Sequence, residues 1–239
     1  MTDKTSIDVG EGKGNTRQVS DYGKGGGDKA SDVLSAASVT DLKGSAKSIN
    51  GAMLLHDVYE RQAIDRNTGT IHGSSYVVCN YMLAGDIDAG DTKNWNSGRG
   101  FDPIGRLNRT GNGVTGSFSG AFDGICHSIQ NLYIRQIGNQ YDGYIGLFEG
   151  IGKGGSVGNV NMAGGHIEGT SNFGSIAGLN WGTIYNIVNS AELVCSSGGV
   201  GGIVGTNGGG IRNAVNTGNQ KNAGRRGGIT GDNGGTVRG

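Results

Sequence analysis

One short pattern recurs four times toward the end of the chain: Val157-Gly-Asn159, Ile184-Tyr-Asn186, Ile211-Arg-Asn213 and Val237-Arg-Gly239. A glycine-rich approach precedes each copy, and the aliphatic positions are 27, 27 and 26 residues apart. A unit of this length cannot bury its own apolar face and must pack against its neighbours. The spacing therefore predicts that the chain is a stack of coils, which is a solenoid.

The composition is consistent with many turns between short strands. Glycine supplies 51 of 239 residues and proline one, with no glycine triplet period, which excludes collagen and proline-rich disorder. Glycine suits the corners of coils because it tolerates positive φ angles and close backbone approach. The aliphatic residues occur in short runs such as Gly143-Tyr-Ile-Gly-Leu-Phe148 and Gly202-Ile-Val204, which are typical of short strands.

The charge balance and the hydropathy exclude two classes of partner. Twenty basic and twenty acidic residues leave no net charge, so nucleic acid is not indicated. No apolar run is long enough to span a membrane, and the N-terminus has no signal peptide.

The chain stops in the middle of a repeat at Arg238-Gly239, which suggests either a fragment of a longer protein or a subunit that stacks on another.

The three cysteines, Cys79, Cys126 and Cys195, are too far apart for a zinc motif and odd in number. Since a free cysteine behaves as a small hydrophobic residue, we expect all three in the core of the coils.

The chain divides into two regions. Residues 1–50 are a Gly/Lys-rich N-terminal segment, interpreted as irregular early coils or a cap, with a flexible leader as the alternative. Residues 51–239 are expected to form the parallel β-helix, and residues 52–64 either a short helix or an irregular first coil. Residues 89–99 and 106–116 are polar and are predicted to be loops that leave the solenoid wall and form its variable contact surface.

Several motifs between residues 60 and 239 resemble, in the same order, the GLUG-repeat regions of large secreted bacterial exoproteins of the filamentous haemagglutinin type. The opening module is similar in Gly85-Asp-Ile-Asp-Ala89, Trp95-Asn, Gly100-Phe-Asp-Pro-Ile-Gly105, Phe118-Ser-Gly-Ala-Phe-Asp-Gly124, Cys126-His-Ser-Ile-Gln-Asn-Leu132 and Tyr144-Ile-Gly-Leu-Phe148. The repeats themselves are similar in Gly174-Ser-Ile-Ala-Gly-Leu-Asn180, Gly201-Gly-Ile-Val-Gly-Thr-Asn207 and Gly227-Gly-Ile-Thr-Gly-Asp-Asn233.

The resemblance implies the fold class and an extracellular or cell-surface location. It indicates an all-β, right-handed parallel β-helix with coils of about 22–27 residues and GLUG-like repeats at about 174–239. The chain departs from the family's pattern at Cys126, where glycine is usual, and at Ala177 and Thr230, where a larger aliphatic residue is typical. The role implied is adhesive or structural and not catalytic.

Stacking of the coils predicts columns of equal residues. Two internal aliphatic stacks are expected, one of Ile176, Ile203 and Ile229 and one of Val157, Ile184, Ile211 and Val237. Asparagine amides both donate and accept hydrogen bonds and tolerate left-handed turns, so two structural ladders are predicted. Their members are Asn159, Asn186 and Asn213 in one, and Asn180, Asn207 and Asn233 in the other.

Acidic residues provide the one pattern that could carry chemistry. Asp86, Asp88 and Asp123, with Asp102, could converge as a glycosidase pair or a calcium site, but aspartates that cap turns are the favoured interpretation. His127 is interpreted as a structural hydrogen-bonding residue, because neighbours on a strand such as Cys126 point to opposite faces. No cofactor or metal site is predicted.

The sequence thus favours a non-catalytic extracellular structural or adhesive β-solenoid module of a bacterial surface or secreted protein. The partners expected are a host or cell-surface protein or glycan, or further copies of the chain stacked end to end or laterally. One alternative is a self-assembling filament or sheath subunit, and another is a carbohydrate-active β-helix that hydrolyses or eliminates polysaccharide.

Overall fold

The structure, a computed structural model, describes residues 52–55, 70–71, 74–75, 80–105, 107–110, 113–137, 143–170, 172–195, 199–221 and 224–239. Residues 1–50, Cys79 and most of residues 52–64 lie outside these ranges, so the expectations for them stay predictions. The described chain consists of strands and two short 3-10 helices, Gly90–Asn94 and Asn96–Gly98. Among the described residues, no helix has the length and apolarity needed to cross a membrane.

The strands are short and follow one another along the whole described chain. Their bounds are β1 Met53–Leu55, β2 Thr70–Ile71, β3 Ser74–Ser75, β4 Tyr81–Leu83, β5 Ile87–Asp88, β6 Asn108–Thr110, β7 Gly113–Thr115, β8 Ala121–Asp123, β9 Ser128–Gln130, β10 Tyr133–Gln136, β11 Phe148–Ile151, β12 Ser156–Ala163, β13 His166–Gly169, β14 Ala177–Asn180, β15 Thr183–Asn189, β16 Glu192–Cys195, β17 Gly199–Gly201, β18 Val204–Asn207, β19 Gly210–Asn216, β20 Gln220–Lys221, β21 Arg225–Gly227, β22 Thr230–Asn233 and β23 Thr236–Arg238.

Three parallel sheets form the wall of a β-solenoid, which confirms the predicted fold class. The long sheet runs β1-β4-β8-β12-β15-β19-β23, with β5 and β9 beside it. The second sheet runs β10-β13-β16-β20 and the third β11-β14-β18-β22. From β12 onward each winding adds one strand to each of these three sheets in turn, and β17 and β21 form a further parallel pair.

The windings are regular in the C-terminal half and longer before it. In the long sheet Val157, Ile184 and Ile211 are register partners, 27 residues apart, and Val237 follows after 26. The predicted length of about 22–27 residues is too short for the earlier windings. Tyr81 pairs with Phe122, 41 positions later, because the winding between β4 and β8 contains two additional segments, residues 89–99 and the hairpin of β6 and β7.

One predicted aliphatic stack belongs to the long sheet and the other lies beside the third sheet. Val157, Ile184 and Ile211 are buried in register, whereas Val237 is 40% exposed in the last described strand. The amide of Ile176 donates to the carbonyl of Ile203, whose own amide donates to the carbonyl of Ile229. Ile176 and Ile203 are fully buried, and Ile229 is partly buried against the core.

Aromatic side chains fill the core of the earlier windings. The Phe118 and Phe148 rings have centroids 4.9 Å apart, and Phe122 meets Phe148 edge-on at 5.5 Å. All three are buried. Larger residues here occupy the space that valine and isoleucine occupy in the regular windings, which keeps the core filled as the winding length changes.

Residues 89–99 were predicted to be a loop that leaves the wall, and this prediction is wrong, because the segment packs against the wall. Ala89 and Thr92 are fully buried, and the Thr92 hydroxyl accepts a hydrogen bond from the Tyr133 amide. Gly100, at φ +85°, lies so close to the Tyr133 carbonyl that a Cβ there would collide with it. The segment therefore covers the outer edge of β10, an edge that would otherwise offer unpaired backbone groups.

The second predicted loop, residues 106–116, contains an antiparallel hairpin. Strands β6 and β7 pair only with each other, Asn108 with Thr115 and Thr110 with Gly113. This element joins none of the three parallel sheets of the wall. Its departure from the wall explains why the winding that contains it is long.

The column of aliphatic residues makes a prediction about stability. Val157→Ala removes two methyl groups from a fully buried position and should lower the free energy of unfolding by about 2 kcal/mol. Val215→Ala, the same change at a side chain that is 53% exposed, should cost less than about 1 kcal/mol. Urea unfolding of the two variants checks this, and equal losses would contradict the column as the source of cohesion.

Candidate functional surface

The first asparagine ladder lies on the outside of the long sheet, at a bend in each strand. Asn159, Asn186 and Asn213 all have left-handed backbones, with φ of 55°, 53° and 50°. The Nδ2 of Asn186 donates to Oδ1 of Asn159 at 2.8 Å, and Nδ2 of Asn213 donates to Oδ1 of Asn186 at 3.0 Å. Asparagine fits here because its short amide tolerates this backbone while it bonds to the neighbouring winding.

This ladder starts from the carboxylate of Asp123, for which the sequence favoured a turn-capping role and left a catalytic or calcium-binding cluster as the alternative. Nδ2 of Asn159 donates to Oδ1 of Asp123 at 2.9 Å. The same oxygen accepts the amide of Ile125 at 2.8 Å. Asp123 is thus the acceptor end of a chain of amides, in which every member donates toward the negative charge. Such a chain is polarised in one direction, which strengthens each bond in it.

The second ladder runs in the opposite direction, with Asn180 and Asn207 buried and Asn233 exposed at its end. Nδ2 of Asn180 donates to Oδ1 of Asn207, whose Nδ2 donates to Oδ1 of Asn233, each at 2.8 Å. The Oδ1 atoms of Asn180 and Asn207 also accept backbone amides two residues later, at Gly182 and Gly209. Buried amides are tolerated because these bonds satisfy them.

The sequence analysis missed a third column, which consists of one hydrogen-bonded pair of asparagine side chains. Nδ2 of Asn189 donates to Oδ1 of Asn216 at 2.8 Å, and the two oxygens accept the amides of Ala191 and Gly218. The signal was present, because the two asparagines are 27 residues apart like the other ladder members.

The carboxylates of Asp86 and Asp88 have separate partners. Asp86 accepts the amide of Ser128 at 2.7 Å, and this backbone hydrogen bond is the largest cause that lowers the pKa of Asp86. Asp88 accepts the amide of Gly90 at 2.9 Å and Nδ2 of Asn131 at 3.1 Å, and the side-chain bond from Asn131 is the main cause of its lowered pKa.

The three acids, Asp86, Asp88 and Asp123, therefore hold turns and neighbouring windings. Each accepts a backbone amide, and two of them also accept an asparagine amide. Within the described residues no group of three or more His, Cys, Asp or Glu side chains could hold a metal ion.

The cysteine expectation is wrong at one position. Cys195 is buried, as predicted, but Cys126 is exposed. Ile125 and Cys126 have left-handed backbones, with φ of 47° and 63°, in a turn rather than a strand. The argument from opposite faces of a strand therefore does not apply at His127, whose Nδ1 lies 3.4 Å from Oδ1 of Asp86.

A charged network covers the outside of the second sheet. Nε of Arg135 donates to Oε2 of Glu168 at 2.8 Å. Nδ1 of His166 lies 3.2 Å from Oε2 of Glu192, which also binds Lys221. The hydrogen bond from Lys221 is the largest cause that lowers the pKa of Glu192, and the bond with His166 adds to it. Charges of opposite sign thus meet on successive windings of this sheet.

The outside of the long sheet has a different character. Trp181, Thr183 and Tyr185 alternate with the buried Gly182 and Ile184, so all three lie on the outer face of one winding. We call the two aromatic members, Trp181 and Tyr185, the aromatic row. Trp181 is 47% exposed.

Each ring of the aromatic row lies across a glycine of a neighbouring winding. A Cβ at Gly208 would collide with the Trp181 ring, and a Cβ at Gly158 would collide with the Tyr185 ring. The Arg212 guanidinium carbon lies 5.0 Å from the Tyr185 ring centroid, in a cation–π contact. Burial is the main cause that raises the pKa of Tyr185, so its hydroxyl stays protonated and can donate a hydrogen bond.

Comparison with known proteins gives one curated relative and no family. No family model matches the chain. Over 137 residues, 57% of the chain, it is 33% identical to Halomucin of Haloquadratum walsbyi. The chain spans only 1% of the length of that protein. No solved structure is similar to it.

The left-handed asparagine at the bend makes a second prediction. Asn186→Ala and Asn186→Gly both remove the two amide bonds, but only alanine is strained at φ 53°. Asn186→Ala should therefore be less stable than Asn186→Gly by about 1–2 kcal/mol. Thermal unfolding of both variants measures the difference. Equal stability would contradict a left-handed backbone at this corner.

The charged network makes a prediction about pH. The folded state lowers the pKa of Glu192. The network therefore stabilises the fold at pH values above the ordinary glutamate pKa of about 4.3, and this contribution is lost as the pH falls from there through the lower pKa of the folded state. The unfolding temperature of the wild type should exceed that of Glu192→Gln at about pH 6, and the gap should narrow toward about pH 3. The same comparison made in a Lys221→Ala background should also give a smaller difference in unfolding temperature at about pH 6. A gap independent of pH would contradict the network.

Proposed function

We propose that this chain is a non-catalytic structural and adhesive module of a surface or secreted protein. The observation that carries the proposal is the continuous register of the windings, in which buried aliphatic columns and amide ladders connect each winding to the next. A wall built in this way supports itself and leaves its outer positions free to vary. Such a scaffold suits presentation of a surface rather than enclosure of a reaction.

The similarity to Halomucin supports an extracellular setting. The name Halomucin contains the word mucin, and the similarity supports a surface or secreted protein. Since the chain corresponds to 1% of that protein, we carry over only this setting. A GLUG-repeat identity rests on the motifs quoted above and is part of the proposal.

The carbohydrate-active alternative is less well supported. Catalysis by two carboxylates requires both to converge on one glycosidic bond. In this chain Oδ1 of each of Asp86, Asp88 and Asp123 accepts a backbone amide, and the three amides belong to separate turns. We therefore assign the three acids a structural role.

Localisation and turnover test the proposal separately. Antibodies against the chain should label intact cells of the source organism or its culture medium, and labelling only after permeabilisation would overturn a surface or secreted location. The purified chain should release no reducing ends from polysaccharides. Release that is lost in Asp86→Asn or Asp123→Asn, with folding retained by circular dichroism, would overturn the non-catalytic role.

A further inference from the structure

The outer face of the long sheet is basic in its regular windings. Strands β12, β15, β19 and β23 contain two arginines, Arg212 and Arg238, and no aspartate or glutamate. Within the described part of the chain, no carboxylate forms an ion pair with either arginine. The second sheet, in contrast, pairs its charges on neighbouring windings. The two faces of the same solenoid therefore present different chemistry.

The two arginines are register partners. Arg212 on β19 lies beside Arg238 on β23, and adjacent strands are about 4.8 Å apart. Like charges directly opposite each other on neighbouring strands destabilise a sheet. An anionic group bound between the two guanidinium groups relieves this repulsion, and a carboxylate suits it because arginine binds carboxylates through two parallel hydrogen bonds.

The aromatic row adds an apolar platform to this cationic pair. One part of the Trp181 ring lies over Gly208, where no side chain interferes, and nearly half of the side chain is exposed to solvent. Tryptophan is enriched at interfaces because its ring offers a large apolar face together with a polar N–H. The hydroxyls of Thr183 and Thr236, which are exposed on the same face, can hydrogen-bond with a ligand that has many hydroxyls.

We propose that this face binds an acidic polysaccharide of the uronic acid class. One pyranose ring of the polymer packs its C–H face on Trp181, sugar hydroxyls bond with the threonines, and the carboxylates of further sugars along the same polymer bind Arg212 and Arg238. A polymer engages several such contacts at once, so weak individual sites add up. This inference rests on the proposed adhesive function and names its partner.

Polygalacturonate is the probe, and its methyl ester is the matched control, because esterification keeps the sugar backbone and removes the charge. The wild type should bind polygalacturonate and bind its methyl ester at least about tenfold more weakly, as measured by calorimetry at low salt. The double variant Arg212→Gln/Arg238→Gln should lose affinity by about tenfold or more. Trp181→Ala should lose a similar factor, and Trp181→Phe should keep part of the binding.

Arg135→Gln is the control variant, because it removes a cation from the second sheet and leaves the long sheet unchanged. Its affinity should equal that of the wild type, and circular dichroism should show the same fold in all variants. No binding by the wild type, equal binding of the methyl ester, or an equal loss in Arg135→Gln would overturn the inference. Binding to acidic lipid vesicles without binding to polygalacturonate would also overturn it. Surface labelling without glycan binding would leave the proposed function intact and remove only this partner.

Discussion

Register between successive windings is the constraint on which the rest of the structure depends. Parallel strands pair residue with residue, so Val157 lies beside Ile184 and Ile184 beside Ile211. A slip of one residue would turn these buried side chains to solvent and bring outer residues such as Tyr185 inside. The apolar columns alone favour the correct register, but they do not distinguish one winding from the next. The polar ladders add a second requirement, since an asparagine must meet an asparagine at each corner.

The directions of the ladders show how the amides are satisfied. On the outside of the long sheet, each asparagine side chain donates to its neighbour on the preceding winding, and the Asp123 carboxylate accepts the last of these bonds. In the other ladder, the bonds run forward, and the oxygens of Asn180 and Asn207 also accept backbone amides. A half-satisfied amide in the core would cost more than an apolar residue there. The buried amides of Asn180 and Asn207 therefore need their partners on the next winding, which couples each winding to its neighbour.

Sequence reasoning succeeds where the period is strict and fails where the chain departs from it. The spacing of Ile184 and Ile211 predicts their pairing, since nothing is inserted between equivalent positions. It fails for Cys126, because a left-handed turn replaces the expected strand, and no periodic pattern reports that geometry. Residues 89–99 have the composition of a loop, yet buried Thr92 anchors them to β10. That contact depends on a long-range hydrogen bond, which composition does not encode.

The inner and outer positions of this fold are under different constraints. The column of Val157, Ile184 and Ile211 changes little from winding to winding, because all of its members fill the same core. The outer column beside it changes at every step, from Gly158 to Tyr185 and then to arginine. Packing does not require this variation, except where the small glycine makes room for the tyrosine ring. Any property that distinguishes this module from another solenoid of equal length must therefore come from its outer columns. In the regular windings of the long sheet, one of these columns carries Tyr185, Arg212 and Arg238.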